Sequence, residues 1–287
     1  MEATELLKKV RKIEIKTRGL SKHIFAGEYH SAFKGKGMAF SEVREYQYGD
    51  DIRSIDWNVT ARFNHPYIKV FEEERELTVI LLIDLSASKD FGTHVQLKQD
   101  LITELAAVLS FSAIQNNDKI GVIFFTDKIE KFIPPKKGKT HILRIIRELL
   151  DFKPEKKNTD ISGALKYFNN VIKKRSVAFV ISDFIDKNFE DALRIANRKH
   201  DVVALRTYDK RETELPSMGL IKMKDAESGN ETWVDTSDAE TRSSYKKWWL
   251  DTEKQLNETF KKSGVDYVYL RTDEDYVRPL LNLFKRR

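Results

Sequence analysis

The sequence has no cysteine among its 287 residues. That excludes disulfides, thiol catalysis and thiolate-ligated zinc, and it fits a reducing compartment. Long apolar runs are missing too. Val79 to Ile83 is far shorter than the roughly 20 residues needed to cross a bilayer. The opening MEATELLKKVRKIEIK has neither an apolar signal-peptide core nor a small-residue cleavage site, so a cytoplasmic protein is expected. There is no GK[ST] phosphate loop, no HExxH pair and no G-x-S-x-G elbow. The histidines at 23, 30, 65, 94, 141 and 200 are scattered without ligand spacing. No internal repeat is evident.

Charge is abundant. Charged residues make up 33% of the chain and hydrophobic residues 40%, the balance of a folded domain with a heavily charged surface. The net charge is +6. Residues 1–70 hold 13 Lys and Arg against 9 Asp and Glu, so most of the excess lies there. A surplus of this size could favour nucleic acid, but no basic block, RNA-recognition aromatic signature or zinc finger accompanies it. A solvated mixed-charge face is the simpler reading, and a nucleic-acid partner is not expected.

The rhythm of the chain changes near residue 76. Leu6, Leu7, Val10 and Ile13 fall at helical spacing. Residues 17–75 follow as a glycine-punctuated, aromatic and charged stretch that reads as short strands and ordered loops. From Leu77 apolar strands alternate with helices. LTVILLID, KIGVIFFTD, SVAFVISD, DVVALRTYD and GVDYVYLRT read as strands, and IEKFIPP as a short one ended by its prolines. Val95–Ile114, HILRIIRELLDF, ISGALKYFNNVIKK, FEDALRIANRKH, the stretch from about Ser243 to Lys262 and YVRPLLNLFKRR read as helices. A hairpin is expected near 218–235. The organisation is therefore an N-terminal helix and irregular β extension over 1–75, then an α/β domain over 76–287. In that domain an open, mostly parallel sheet is flanked by helices on both faces.

In such sheets ligands bind beyond the carboxyl ends of the strands. Asp84 and Asp183 both end apolar strands, 99 residues apart. Ser86 and Ser88 follow the first at alternate positions, and Thr159 in KNTDISGAL precedes a helix. D-x-S-x-S alone fits helix caps as well as it fits ligands. All five together, each at a rim position, form an oxygen set suited to a hard cation such as Mg²⁺, with Mn²⁺ or Ca²⁺ also compatible. Two carboxylates would roughly neutralise the ion. An open coordination position would accept a carboxylate from another molecule, a binding event without chemistry.

VILLIDLSASKDFG, NTDISGAL and VISDF resemble the three segments of the metal-ion-dependent adhesion site of von Willebrand factor A domains, whose sheet is Rossmann-type. The resemblance implies that Ser86, Ser88 and Thr159 contact the ion directly or nearly so, while Asp84 and Asp183 act mostly through bound waters. Upstream, Gly35 to Glu73 resembles the signature of domain-of-unknown-function family 58. The shared elements are Gly-x-Gly, Arg-x-Tyr, Gly-Asp-Asp-x-Arg-x-Ile-Asp-Trp, Thr-Ala-Arg and Lys-x-Phe-Glu-Glu. Three residues depart from the adhesion-site pattern. Lys89 and Asp90 follow the second serine, and Asn158 stands where glycine is usual. A lysine so close would either weaken metal binding or pair with Asp90.

The family resemblance implies a protein-binding module working with a MoxR-type AAA+ ATPase or its substrate. A metal-dependent phosphoester hydrolase, for which the chain offers no evident general base or second-metal cluster, and a nucleic-acid-binding protein, which rests only on the basic amino-terminal stretch, are the alternatives. Within YGDDIRSIDW, Asp50, Asp51 and Asp56 are expected to pair with Arg44, Arg53 and Arg62 as a structural clamp, with Trp57 packed on the sheet.

Overall fold

A computed structural model describes residues 11, 13–14, 38–73, 76–87, 97–152, 154, 158–224 and 230–287. Most of the expected N-terminal helix, the Gly-x-Gly element, Ser88, Lys89 and Asp90 lie outside these residues. So do residues 225–229 of the expected hairpin.

The signature segment forms an antiparallel hairpin of β1 (Met38–Glu45) and β2 (Tyr67–Glu73), with Val43 opposite Lys69. A 3-10 turn (Ile52–Ser54) and helix α1 (Trp57–Phe63) connect the strands. The helix corrects the expectation of strands and loops here. Asp56 starts it by accepting the backbone N–H groups of Asn58 and Val59, and Asn64 stops it in the left-handed conformation. The clamp forms in part. Arg44 grips Asp50 through two bonds of 2.8 Å, whereas Asp51 caps the 3-10 turn and Asp56 meets Lys69 at 3.3 Å. Trp57 is exposed rather than packed on the sheet.

The main domain is built on six strands in the order β10-β7-β6-β3-β4-β5. These are β3 (Thr78–Asp84), β4 (Lys119–Phe125), β5 (Ile129–Lys136), β6 (Val177–Ser182), β7 (Asp201–Tyr208) and β10 (Asp266–Arg271). All pairings are parallel except β4 with β5. Pro134 and Pro135 fall inside β5, on the sheet edge, where a strand tolerates residues without an N–H. Opposite these prolines, Gly121 of β4 brings two backbones close. A Cβ there would lie 2.9 Å from the Pro135 nitrogen and 3.0 Å from the Ile133 carbonyl oxygen.

The sheet separates two cores because successive side chains on a strand point to opposite faces. Val79, Leu81 and Ile83 join one cluster, and Ile80 and Leu82 the other. Helices α2 (Lys98–Gln115), α3 (Lys139–Asp151) and α8 (Val277–Lys285) supply the first. Helices α4 (Ile161–Val171), α5 (Glu190–Lys199) and α7 (Ala239–Ser263) supply the second. This is the α/β architecture expected, with helices on both faces. Helix α2 buries 13 of its 18 residues. Its internal hydroxyls, on Thr103, Ser110 and Ser112, donate to carbonyls four residues back. A four-residue helix, α6 (Lys210–Thr213), follows β7. After it come the antiparallel strands β8 (Leu220–Lys224) and β9 (Glu231–Asp235). No described helix is long and apolar enough to cross a membrane.

Candidate metal centre

The chain leaves β3 for β4 on one side and later returns to place β6 on the other. Connections diverge at that point, so a crevice opens at the carboxyl ends of β3 and β6. Ile83 pairs with Ile181. Asp84 therefore ends its strand level with Ser182, and Asp183 stands one residue further out. The two acids proposed from sequence are neighbours in space.

Both are buried, at 4% and 6% exposure. The Ser86 backbone N–H donates to Asp84 Oδ1 at 2.9 Å, and the Ser182 hydroxyl donates to Oδ2 at 2.6 Å. Even so, burial and the neighbouring Asp183 charge push the Asp84 carboxyl up to about 7. Two buried carboxylates side by side create a negative potential that these hydrogen bonds do not cancel.

Three loops converge on the crevice. The Leu85 N–H donates to the Phe125 carbonyl at 2.9 Å, which turns the β3 loop toward β4. The Asp160 N–H donates to the Thr126 carbonyl at 2.9 Å, fixing the Thr159 loop at the end of β4. Asp186, in the loop after β6, accepts the Ile161 N–H at 2.8 Å and ties that loop to the Thr159 loop. Ser86 is buried and Thr159 half-buried. Four of the five proposed ligands thus stand on or beside one rim, and Ser88 falls outside the described residues.

Phe184, directly after Asp183, adopts a left-handed backbone conformation (φ 57°). A bulky residue there signals local strain, a frequent companion of binding sites. It lines a groove of about 730 Å³ together with Ile185, Asp186, Phe189, Trp248 and Leu256 among others. Ile185 and Trp248 remain exposed.

Sequence reasoning missed Lys98. It opens α2, is 1% exposed, and places its ammonium 3.2 Å from Asp183 Oδ2 and 2.6 Å from Glu212 Oε1. Burial alone would lower its pKa, but the two carboxylates outweigh that and raise it. Glu212 is held in turn by α6. Asp209 caps that helix, and its N–H donates to Glu212 Oε2 at 2.7 Å. Burial raises the Glu212 carboxyl against the opposing pull of Lys98. The signal was present in sequence. Lys98, Leu101, Ile102, Leu105 and Leu109 share one helical stripe, so a cation on the apolar face was legible as buried. Arg206 was also missed. Its Nε donates to the Asp183 carbonyl at 3.1 Å, while its guanidinium carbon lies 4.6 Å from the Trp249 ring centroid and 5.2 Å from that of Tyr269.

The residues fit a divalent cation. The donors are oxygens, and two carboxylates lie buried together, where burial and the Asp183 charge raise the Asp84 carboxyl. Among the described residues there is no cluster of three or more His, Cys, Asp or Glu residues suited to a metal. Such a cluster is a different arrangement from two acids supplemented by hydroxyls.

The family model "Protein of unknown function DUF58" matches residues 42–255. A relative from Mycobacterium tuberculosis, "Uncharacterized protein Rv1480", is 29% identical over 283 residues, covering 97% of this chain and 88% of the relative. Among solved structures, an aerotolerance-related membrane protein from Bacteroides fragilis aligns with a TM-score of 0.52 at 16% identity, over 73% of this chain and 97% of that one. The SpRpn10 VWA domain aligns at 0.39 and 10% identity, over 74% of this chain and 95% of that one.

Proposed function

Since the chain belongs to the DUF58 family and its six-stranded, mostly parallel sheet carries helices on both faces, we propose that it is a von Willebrand factor A-like, non-enzymatic, Mg²⁺-dependent protein-binding module. Its working partner is a MoxR-type AAA+ ATPase or that ATPase's substrate, met in the cytoplasm, and the chain acts as adaptor or substrate recogniser. Residues 1–75 carry the family signature beside the binding domain of 76–287.

One observation carries the reading. Asp84 and Asp183 are buried together at the switch point of the sheet, with Ser86 and the Thr159 loop beside them. Asp84, Ser86, Ser88, Thr159 and Asp183 would hold the ion. When bound, Mg²⁺ would supply an electrophilic position for a partner's Asp or Glu side chain. The protein's own share is positional. Ser182 and the Ser86 N–H fix the Asp84 carboxylate. The Ile185 N–H, at 3.2 Å from Asp183 Oδ1, aims the second acid. The adjoining groove, with exposed Ile185 and Trp248, offers apolar surface of the kind protein partners cover.

The test is affinity capture from native cells with Mg²⁺ and with chelator, using the parent chain and Asp84→Ala. Partners should be retained by the parent only with Mg²⁺ and lost by a folded Asp84→Ala chain. Equal retention by both chains would remove the mechanism.

A further inference from the structure

The Lys98 ammonium touches two carboxylates with different surroundings. Asp183 belongs to the metal rim, whereas Glu212 sits on α6, braced by the Asp209 N–H and by a Tyr245 hydroxyl that donates to its carbonyl at 3.1 Å. Asp209 is itself buried and accepts the Thr272 hydroxyl at 2.5 Å. Glu212 is therefore a fixed acceptor, and its contact with Lys98 is the shorter of the two, 2.6 Å against 3.2 Å. A lysine stem is flexible and its ammonium is a point charge with three donors, so it can favour one acid without rebuilding the site.

We propose that Lys98 is a tethered counter-cation of the metal centre, holding Asp183 while the ion is absent and retiring to Glu212 when a divalent cation takes that carboxylate. This rests on the metal-binding reading and adds to it a device that sets affinity. The ammonium neutralises part of the charge that would attract the ion, so metal binds more weakly than it would to the bare acids. In return, the metal-free chain does not leave Asp183 buried and uncompensated.

The experiment is a charge series read by Mn²⁺ and Mg²⁺ affinity, with calorimetry for both ions and paramagnetic resonance for Mn²⁺. Thermal midpoints with and without chelator form the second readout. Lys98→Met removes the cation at similar length, Glu212→Gln removes one acid, and the double variant removes both and restores the parent's local charge. A unit charge in contact with the ligand carboxylates acts on a divalent ion at short range, where solvent and ion screening reduce the effect without abolishing it. At least a tenfold effect per charge is therefore expected. Lys98→Met should bind metal at least tenfold more tightly than the parent, and its thermal midpoint should become strongly chelator-sensitive. Glu212→Gln should bind more weakly, and the double variant should return to within about threefold of the parent.

Equal affinity in the parent and Lys98→Met, or a double variant that tracks Lys98→Met, would overturn the counter-cation. Asp84→Asn separates the two readings. If it binds metal as the parent does, the ion is held elsewhere and the metal-centre reading fails, whatever the lysine series shows. If Asp84→Asn loses the ion while the lysine series stays flat, only the counter-cation fails. Absence of binding in every chain, Lys98→Met included, refutes both.

Discussion

Replacing Asp84 with Asn should make the metal-free protein more stable at alkaline pH. Asp84 is buried and its carboxyl is raised from an ordinary 3.8 to about 7, by burial first and by Asp183 second. A rise of that size corresponds to on the order of 4 kcal/mol between the protonated and ionised forms. Because Asp183 shares the coupling, about 2–4 kcal/mol is the expected range. The folded chain holds a proton that the unfolded chain has already released between pH 4 and 7. Stability therefore falls as pH rises through that window, and the full penalty is present above pH 7. Asn has no proton to lose. Its amide oxygen can accept the Ser86 N–H, and its NH₂ can face a Ser182 hydroxyl that turns to accept it. Urea unfolding in chelator at pH 8 should favour Asp84→Asn by those 2–4 kcal/mol, with the advantage fading toward pH 4. Saturating Mg²⁺ should narrow the gap, since ion at a hundredfold its Kd adds about 2.7 kcal/mol to the chain that binds it. A variant less stable than the parent at pH 8 in chelator would refute the reasoning and mark Asp84 as a structural cap.

Three further outcomes are expected. Gly121→Ala should destabilise the chain by about 1–3 kcal/mol in denaturant titrations, because the added methyl meets the Pro135 and Ile133 backbone, which cannot give way, as well as the buried Ile80 side chain. His200 is fully buried and burial lowers its pKa to about 4; the unfolded chain binds this proton from about pH 6.5 downward, so stability should fall from pH 6.5 toward 4, by on the order of 3 kcal/mol at most. His200→Leu should flatten that part of the melting profile; an unchanged slope would count against it. Arg206→Lys should lower stability by on the order of 2 kcal/mol, since an ammonium reproduces neither the Nε bond to the Asp183 carbonyl nor the guanidinium's place over the Trp249 ring; equal chemical stability of the two chains would contradict this.

The sheet was legible because its central strands are covered on both faces and so appear as unbroken apolar runs, as in VILLID and VAFVIS. An acid closing such a run stands out, and that pointed to Asp84 and Asp183. Helix α1 was not legible. Its seven residues include aromatic and β-branched types that read equally well as strand, and what decides for helix is one Asp56 side chain accepting two N–H groups. Lys98 escaped for a different reason. Lysines are usually exposed, and the acids that make this one tolerable lie 85 and 114 residues away in sequence. Its place on the apolar stripe was visible, but its partners were not. Lys89, the cation that the sequence set beside the site, lies outside the described residues; among those described, Lys98 places its ammonium on Asp183.

The bond from the Ile161 N–H to Asp186 joins two loops that belong to different strand connections. Loops already fastened to each other lose little freedom when something docks on them. Capture at this part of the rim should therefore proceed with little ordering entropy, and its partner selectivity should reside in dissociation rates more than in association rates.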